Sequence, residues 1–472
     1  MERYYTILLD TGGRFTARQF RGKSEFEQPL DMASRLLADP PRPAIHRERL
    51  TAQELLELAQ EPEFVAAAEI MKTRLLSPVP EDEARESGLV AADGRRRQSW
   101  GIGVVGADKS KFTGADVSVA LLDTGIDCEH SAFRGVDLVE RDFTGCGNGD
   151  LDGHGTHCAG ILFGRNFDGV RIGVAPGIRK ALVGKIIGPH GGDSDMMIRG
   201  VSWAHEQGAR VISMSVGFDF AATMEERLAD GWPRKLTTAV TLEAYRTNLR
   251  LLDRLLQMLR LQEPCTGGAI IVAAAGNDSS RGADGEFIMA AGPPAGSDKI
   301  VSVGSLDPDT NGGGYRVSSF SNSGVEVVAP GRSIVSAQVG GGLKALSGTS
   351  VAAPHVAGVA ALWWQAVRQS DLPANATLVR GKLLGGAQSR GFSPSVYPAE
   401  RGAGRVMAPQ DGLAVSSRAA AFRAPRSDQP RVSELALGAG SARRLAADVG
   451  MDPIAVGAGS GIRSFRPRRN LC

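Results

Sequence analysis

Cysteine is scarce in this chain and follows no pattern. Five are present, Cys128, Cys146, Cys158, Cys265 and Cys472, an odd number with no CxxC pair, which leaves no disulfide framework and fits free thiols in a reducing compartment. An excess of either charge is also missing. Against 54 Lys and Arg stand 52 Asp and Glu, a difference of +2, so no single-signed field draws nucleic acid or an anionic membrane. No apolar run approaches about 18 residues, and no membrane span is expected. The first residues, MERYYTILLDTGGRF, lack the apolar core and the small-residue cleavage site of a signal peptide. The expected location is therefore the cytoplasm, with export by a non-classical route as the alternative.

Glycine, by contrast, is abundant. It takes 60 of 472 positions where a usual share is ~7%, which implies many tight turns and close backbone approaches. A chain of this length has room for about three average domains, although one α/β domain often exceeds about 250 residues.

One stretch organises the rest: LSGTSVAAPHVAGVAAL, Leu346–Leu362. The Ala- and Val-rich run after Ser350 has helical spacing, which places Ser350 at a helix N-terminus. Free backbone N–H groups and the positive end of the helix dipole gather there and stabilise negative charge on a reacting oxygen. Pro354 falls in the first turn, where a missing N–H is tolerated, and Gly358 allows close packing on a neighbour. A serine so placed is either a helix cap or a nucleophile. Two upstream stretches bear on the choice. ADVSVALLDTGID is an apolar strand delivering Asp123 at its carboxyl end, and DGHGTHCAG opens another helix with His154.

The strand before Asp123 has Val117, Val119 and Leu121 on one face and Ala120 and Leu122 on the other. Apolar residues on both faces mark a parallel sheet covered by helices, where chemistry gathers at the carboxyl ends of strands. A buried carboxylate there needs a partner, and His154 can supply it. His157 competes for that role, and His355 stands in the serine helix.

Asp, then His, then Ser is the chain order of the subtilisin-type triad, and the three motifs together resemble the subtilisin-like serine protease (subtilase) family. The resemblance runs from about Trp100 to about Pro409. It implies an α/β fold of three layers, a mostly parallel sheet flanked by helices, with a small α/β propeptide-like domain ahead of it. It further implies that Asp123, His154 and Ser350 are catalytic, while His157 and His355 are structural. Asn277, ending the strand IIVAAAGND, matches the family's oxyanion-hole asparagine. Ser215, Val216 and Gly217 in VISMSVG match the strand edge that pairs with substrate backbone, and strand addition of that kind tolerates many side chains. Gly292–Ser297 and Ile300–Val303 resemble the segment that forms the wall of the main specificity pocket.

Other motifs are weaker. GIGVVG (Gly101–Gly106) has the letters of a dinucleotide loop but precedes its strand, and HEQGA at His205 lacks a second zinc-binding histidine. NGDLDG (Asn148–Gly153) looks like half a calcium loop, yet Ala159 stands where the bidentate Glu belongs. No motif in the sequence names a cofactor, while the resemblance allows a calcium ion. Calcium enters only as a family habit, with no ligand set that can be named.

Four regions are expected. Residues 1–77 read as an α/β unit: a strand at Tyr4–Leu9, a short helix at Leu30–Ala38, a helix to Ala59 opened by a Thr51/Glu54 capping box, and a strand at Phe64–Ile70. The unit weakly resembles the inhibitory propeptide of subtilases, with an unrelated accessory domain as the alternative. Residues 78–99 form a linker rich in Pro and charge, and 100–412 the catalytic domain. From 413 to 472 the chain has the composition of a disordered tail. Within the catalytic part, the family pattern is interrupted by a loop, Phe218–Pro233, and a long amphipathic helix, about Lys235–Gln262, with Leu236, Val240, Tyr245, Leu249, Leu252, Leu256 and Leu259 on its apolar face.

The function that follows is a serine endopeptidase acting on protein or peptide substrates. The alternatives are a dedicated peptide-maturation protease or transpeptidase, and a peptide-binding module without turnover.

Overall fold

The computed structural model describes residues 2–12, 39–79, 89–92, 96–281, 287–309 and 313–411. The helix expected at Leu30–Ala38 and the tail expected from residue 413 lie outside the described residues.

The N-terminal unit is a three-stranded antiparallel sheet. Strand β1 (Arg3–Asp10) lies between β2 (Pro43–Leu50) and β3 (Phe64–Glu69). Between β2 and β3 runs helix α1 (Ala52–Leu58), opened by the capping box that its sequence spells: Thr51 Oγ1 accepts from Glu54 N at 3.2 Å, and the Glu54 carboxylate accepts from Thr51 N at 2.7 Å. The chain then leaves this sheet as β4 (Lys72–Leu75).

The catalytic part is built on an eight-stranded sheet. Its elements are β5 (Val119–Asp123), β6 (Asp137–Asp142), helix α2 (His154–Phe163), β7 (Lys180–Lys185), β8 (Gly192–Asp193), helix α3 (Ser194–Glu206), β9 (Val211–Met214), β10 (Val216–Phe218), helices α4 (Phe220–Ala229) and α5 (Arg234–Leu261), β11 (Ile270–Ala274), β12 (Val301–Pro308), β13 (Tyr315–Val317), β14 (Val327–Pro330) and helix α6 (Thr349–Arg368). The sheet order is β13-β12-β11-β9-β5-β7-β6, with β14 also on β12. Every pairing is parallel except that of β12 with β13. The short β8 and β10 stand apart, on either side of β4.

Both faces of the central strand are buried, as its sequence requires. Val119 and Leu121 join one apolar cluster with α2 and α6, whereas Ala120 and Leu122 join the other with α3 and α5. Each fully buried Leu or Val contributes about 1.5–3 kcal/mol, so the sheet is clamped from both sides. Three layers result.

Two expectations change. The stretch Phe218–Pro233, expected as a loop, contains helix α4, capped by Asp219 accepting from Ala222 N at 2.9 Å. The long helix forms, but its two halves bury different stripes. In the second half Leu252, Leu256 and Leu259 are buried with Leu251 and Leu255, while in the first half Leu236 is 49% exposed and the buried stripe is Thr237, Thr241, Ala244 and Asn248. The cause is the neighbour. The second half packs on the sheet core, and the first half packs on β3 of the N-terminal unit. The segment from Ser77 to Ser99 is also tied at its described ends: Val79 bridges to Ser347, and Leu89–Ala92 pairs with Arg96–Ser99, which lies beside Val170–Arg171.

Helix α6 crosses Val174 so closely at Gly358 that an added Cβ would stand 2.6 Å from the valine Cβ. Gly358→Ala should therefore destabilise the catalytic domain by about 1–3 kcal/mol, as overpacking does in tight cores. A thermal melt unchanged by the substitution would contradict this packing.

Candidate active site

Asp123, at the carboxyl end of β5, is buried. Its Oδ1 lies 2.7 Å from His154 Nδ1 and accepts from Thr124 N at 2.9 Å, while Oδ2 is buried without a hydrogen bond. His154 is the first residue of α2, entered through Gly153 at φ +92°. Ser350 is the second residue of α6, at the helix N-terminus. Its Oγ is buried and makes no hydrogen bond. Asn277 follows β11 through Gly276, and its Oδ1 accepts from Thr349 N and Thr349 Oγ1, both at 2.8 Å. These bonds aim its Nδ2 at the same space as the serine. A Cβ on Gly348 would stand 2.9 Å from Ser350 Oγ and 3.2 Å from Asn277 Nδ2, so only glycine leaves that space open.

The cleft beside these residues is occupied by the chain itself. Strand β4 runs antiparallel between β8 and β10, with Val216 opposite Leu75 and Gly217 opposite Arg74. Leu76 N donates to Ser215 O at 3.0 Å, Asn277 Nδ2 donates to Ser77 O at 3.0 Å, and Val79 N donates to Ser347 O at 2.8 Å. Ser215, Val216 and Gly217 thus face a peptide backbone. The buried Leu76 side chain lies beside Gly217, where an added Cβ would stand 3.2 Å from Leu76 Cδ2 and 3.8 Å from Pro293 O. Arg74 reaches across to Asp278 at 2.7 Å.

Electrostatics separate the three histidines. Burial alone would lower the pKa of His154, but the charge of Asp123 and their hydrogen bond outweigh it and hold the imidazole well above 6.5. His157 points away from the cleft, with Nε2 3.0 Å from the carbonyls of Ile334 and Lys344, and burial lowers it to about 3. His355 Nδ1 meets Val351 O at 2.9 Å, and burial lowers that ring to about 4. Cys158 lies beneath His154, its Sγ 3.7 Å from Nδ1 and 3.4 Å from Ser350 O. Burial pushes the thiol pKa up, so it stays neutral near pH 7.

The acidic turn before His154 does not fit a calcium ion. Asp150 Oδ1 accepts from Thr124 Oγ1, Asp152 N and Gly153 N, and Oδ2 accepts from Thr156 N and Thr156 Oγ1, at 2.6–3.1 Å. Burial would raise this carboxyl, but its donors hold it below the usual range. The buried ammonium of Lys185 lies 3.1 Å from both Gly147 O and Gly149 O. Donors and a fixed cation already fill the oxygens that a metal would use. Asp150 is the residue that sequence reasoning missed, since it ties the turn after Asp123 to the helix of His154. Its letters, an Asp four residues ahead of the histidine in a glycine-rich turn, do not tell a hydrogen-bonded carboxylate from a metal ligand.

The model of the subtilase family matches residues 114–398. This chain belongs to that family. Subtilisin DY of Bacillus licheniformis is 31% identical over 303 residues, 62% of this chain and 93% of its own length. A thermophilic serine proteinase of Bacillus sp. (strain AK1) is 31% identical over 253 residues, 52% of this chain and 51% of that protein, so the chain spans about half of it. Subtilisin E of Bacillus subtilis (strain 168) is 30% identical over 278 residues, 56% of this chain and 62% of its own. This subtilase is a serine endopeptidase of α/β fold.

An imidazole must be neutral to accept a proton, so a raised pKa moves the loss of activity to higher pH. On the acid side, kcat/KM should fall with a midpoint above 6.5, the ordinary histidine value, and Asp123→Asn should move that midpoint down. A wild-type midpoint at or below the ordinary value would contradict the coupling.

Proposed function

We propose that this subtilase hydrolyses peptide bonds through an acyl-enzyme on Ser350. Ser350 Oγ attacks the substrate carbonyl carbon and passes its proton to His154 Nε2, while Asp123 keeps Nδ1–H oriented and stabilises the cation that forms. The carbonyl oxygen gains negative charge and is met by Asn277 Nδ2 and the N–H groups at the start of α6. These donors are already in place, which is what lowers the barrier. His154 then gives the proton to the leaving nitrogen, and a water molecule, deprotonated by the same imidazole, releases the acid.

One observation carries this reading: a peptide carbonyl, that of Ser77, stands 3.0 Å from Asn277 Nδ2, two residues beyond a strand held by main-chain bonds on both edges. The same occupancy supports residues 1–77 as an inhibitory, propeptide-like unit. Ser350→Ala or His154→Ala should lower kcat by about 10⁶ and Asp123→Ala by about 10⁴, magnitudes that are subtilisin's own and are carried over on family membership. Asn277→Ala should lower it by about 10² to 10³, again subtilisin's value. KM should change little. A peptide-binding module would show no turnover in wild type and undiminished binding in all four variants.

The resident segment also supports a substrate class. Leu76 fills the pocket beside Gly217, and the residue opposite Gly217 is a cation facing Asp278. The carboxylate is held ready: Asn322 Nδ2 donates to Asp278 Oδ2 at 3.2 Å, and Asp278 N donates to Asn322 Oδ1 at 3.1 Å. Both charged side chains are nearly half exposed, 45% and 40%, so the preference is modest. A fluorogenic amide of Lys-Thr-Arg-Leu-Leu-Ser, which ends on the residue whose carbonyl meets Asn277, should be cleaved about two- to five-fold better than the analogue with Glu in place of Arg, and Asp278→Lys should reverse the order. Equal rates for both peptides would refute the role of Asp278.

A further inference from the structure

The segment that crosses the active site is pinned on both sides of the reacting groups. Before them Leu76 N donates to Ser215 O at 3.0 Å, and after them Val79 N donates to Ser347 O at 2.8 Å. Between the pins stand only Ser77, whose carbonyl meets Asn277 Nδ2 at 3.0 Å, and Pro78. The bond presented at the oxyanion donor is therefore Ser77–Pro78. From Lys72 to Val79 it is the one junction that is a tertiary amide.

Breaking such a bond asks more of His154 than attack does. With Ser350 as nucleophile, its Oγ forms a bond to the Ser77 carbonyl carbon and its proton passes to His154 Nε2. The C–N bond then breaks as that proton is handed to the nitrogen of Pro78. In an ordinary peptide this nitrogen carries a hydrogen on the side that proline fills with its ring Cδ. The ring also crowds Ser77 and holds it extended. Proton delivery is obstructed at the atom that needs it.

The far side of the bond adds a second obstacle. Val79 stays on Ser347, and farther along Leu89–Ala92 pairs with Arg96–Ser99, which lies beside Val170–Arg171. A proline nitrogen freed from Ser77 thus remains next to the acyl carbon. There it attacks the ester, returns its proton to His154 and expels Ser350 Oγ with the original bond restored, and as a tethered reactant it outruns water.

We propose that Pro78 is a stop at the scissile position: the resident segment meets Ser350 at the one junction that the enzyme does not cut. The N-terminal unit is then not released by cleavage there, and its separation begins with a cut elsewhere in the chain. An ordinary residue at position 78 would turn the occupant into a substrate. The proposal rests on the catalytic reading above, and the experiment keeps the two apart.

The test follows the full chain by intact mass and N-terminal sequencing. Wild type should keep the Ser77–Pro78 bond, whereas Pro78→Ala should release a fragment beginning at residue 78 at least about a hundred-fold faster, the contribution of a well-placed proton donor. Pro78→Ala combined with Ser350→Ala should stay whole and melt at the same temperature as Ser350→Ala alone. That control separates the chemistry of the bond from any loosening of the segment. A Leu76→Asp variant supplies an open cleft, because an unpaired charge is not tolerated in the pocket that Leu76 fills, and it should hydrolyse the Lys-Thr-Arg-Leu-Leu-Ser amide. Pro78→Ala that stays whole while Leu76→Asp turns over the amide would overturn the stop and leave the catalytic reading standing. So would a wild type cut at Ser77–Pro78 as fast as Pro78→Ala. Absence of turnover in both Leu76→Asp and Pro78→Ala would overturn the catalytic reading, and the stop with it.

Discussion

A carboxylate withdrawn from water dominates the carboxyl end of the sheet. Ionised Asp123 is tolerable there only because donors converge on it: Thr124 N and His154 Nδ1 reach Oδ1 directly. Asp150 fixes both of their carriers, holding the Thr124 hydroxyl on one oxygen and Thr156 in the first turn of α2 on the other. Backbone must approach backbone to permit this. A Cβ on Gly155 would stand 2.1 Å from Gly125 O, and one on Gly125, at φ +112°, would stand 2.2 Å from Gly149 O. Lys185, beside Asp123 in the sheet register, closes the stack by binding the carbonyls of Gly147 and Gly149. The chemistry of one histidine thus depends on a column of small residues and one buried ammonium.

The second organising feature is strand addition. Because β8 and β10 leave a gap one strand wide, any extended segment satisfies the same main-chain bonds, and β4 fills that gap in the described chain. Main-chain pairing carries little sequence information. In the function proposed above, selectivity is left to the pocket around Leu76, to Asp278, and to contacts farther out. The helical insertion lies in that outer region. Its polar stripe faces the N-terminal unit, which gives a broadly accepting cleft a preferred occupant.

Local rules and long-range rules were legible to different degrees. The capping box at Thr51 was readable because both of its hydrogen bonds join residues three apart. The buried strand before Asp123 was readable because both of its faces are apolar. The long helix was readable as a helix but not as to which side its first half buries, since Leu236 was counted on the apolar face and is exposed. Helical periodicity reports a face, and what packs on that face decides its use. Helix α4 was missed because Phe218–Pro233 has no periodic apolar pattern, and its cap and packing on α5 supply the order instead. The role of Asp150 was hidden for a related reason. An acidic, glycine-rich turn has the same letters whether its carboxylate meets a metal or backbone N–H groups.

By itself, the sequence determined the class of fold, the order of Asp, His and Ser, and the family, because each rests on residue type and short spacing. Tertiary structure alone decided which oxygens meet which donors. It placed Asn277 Nδ2 on the carbonyl of Ser77, 200 residues away in the chain, Lys185 on the carbonyls of Gly147 and Gly149, and Glu69 opposite Arg227. Contacts of this kind depend on the register of whole elements packed on a common sheet. No local pattern of residues encodes that register.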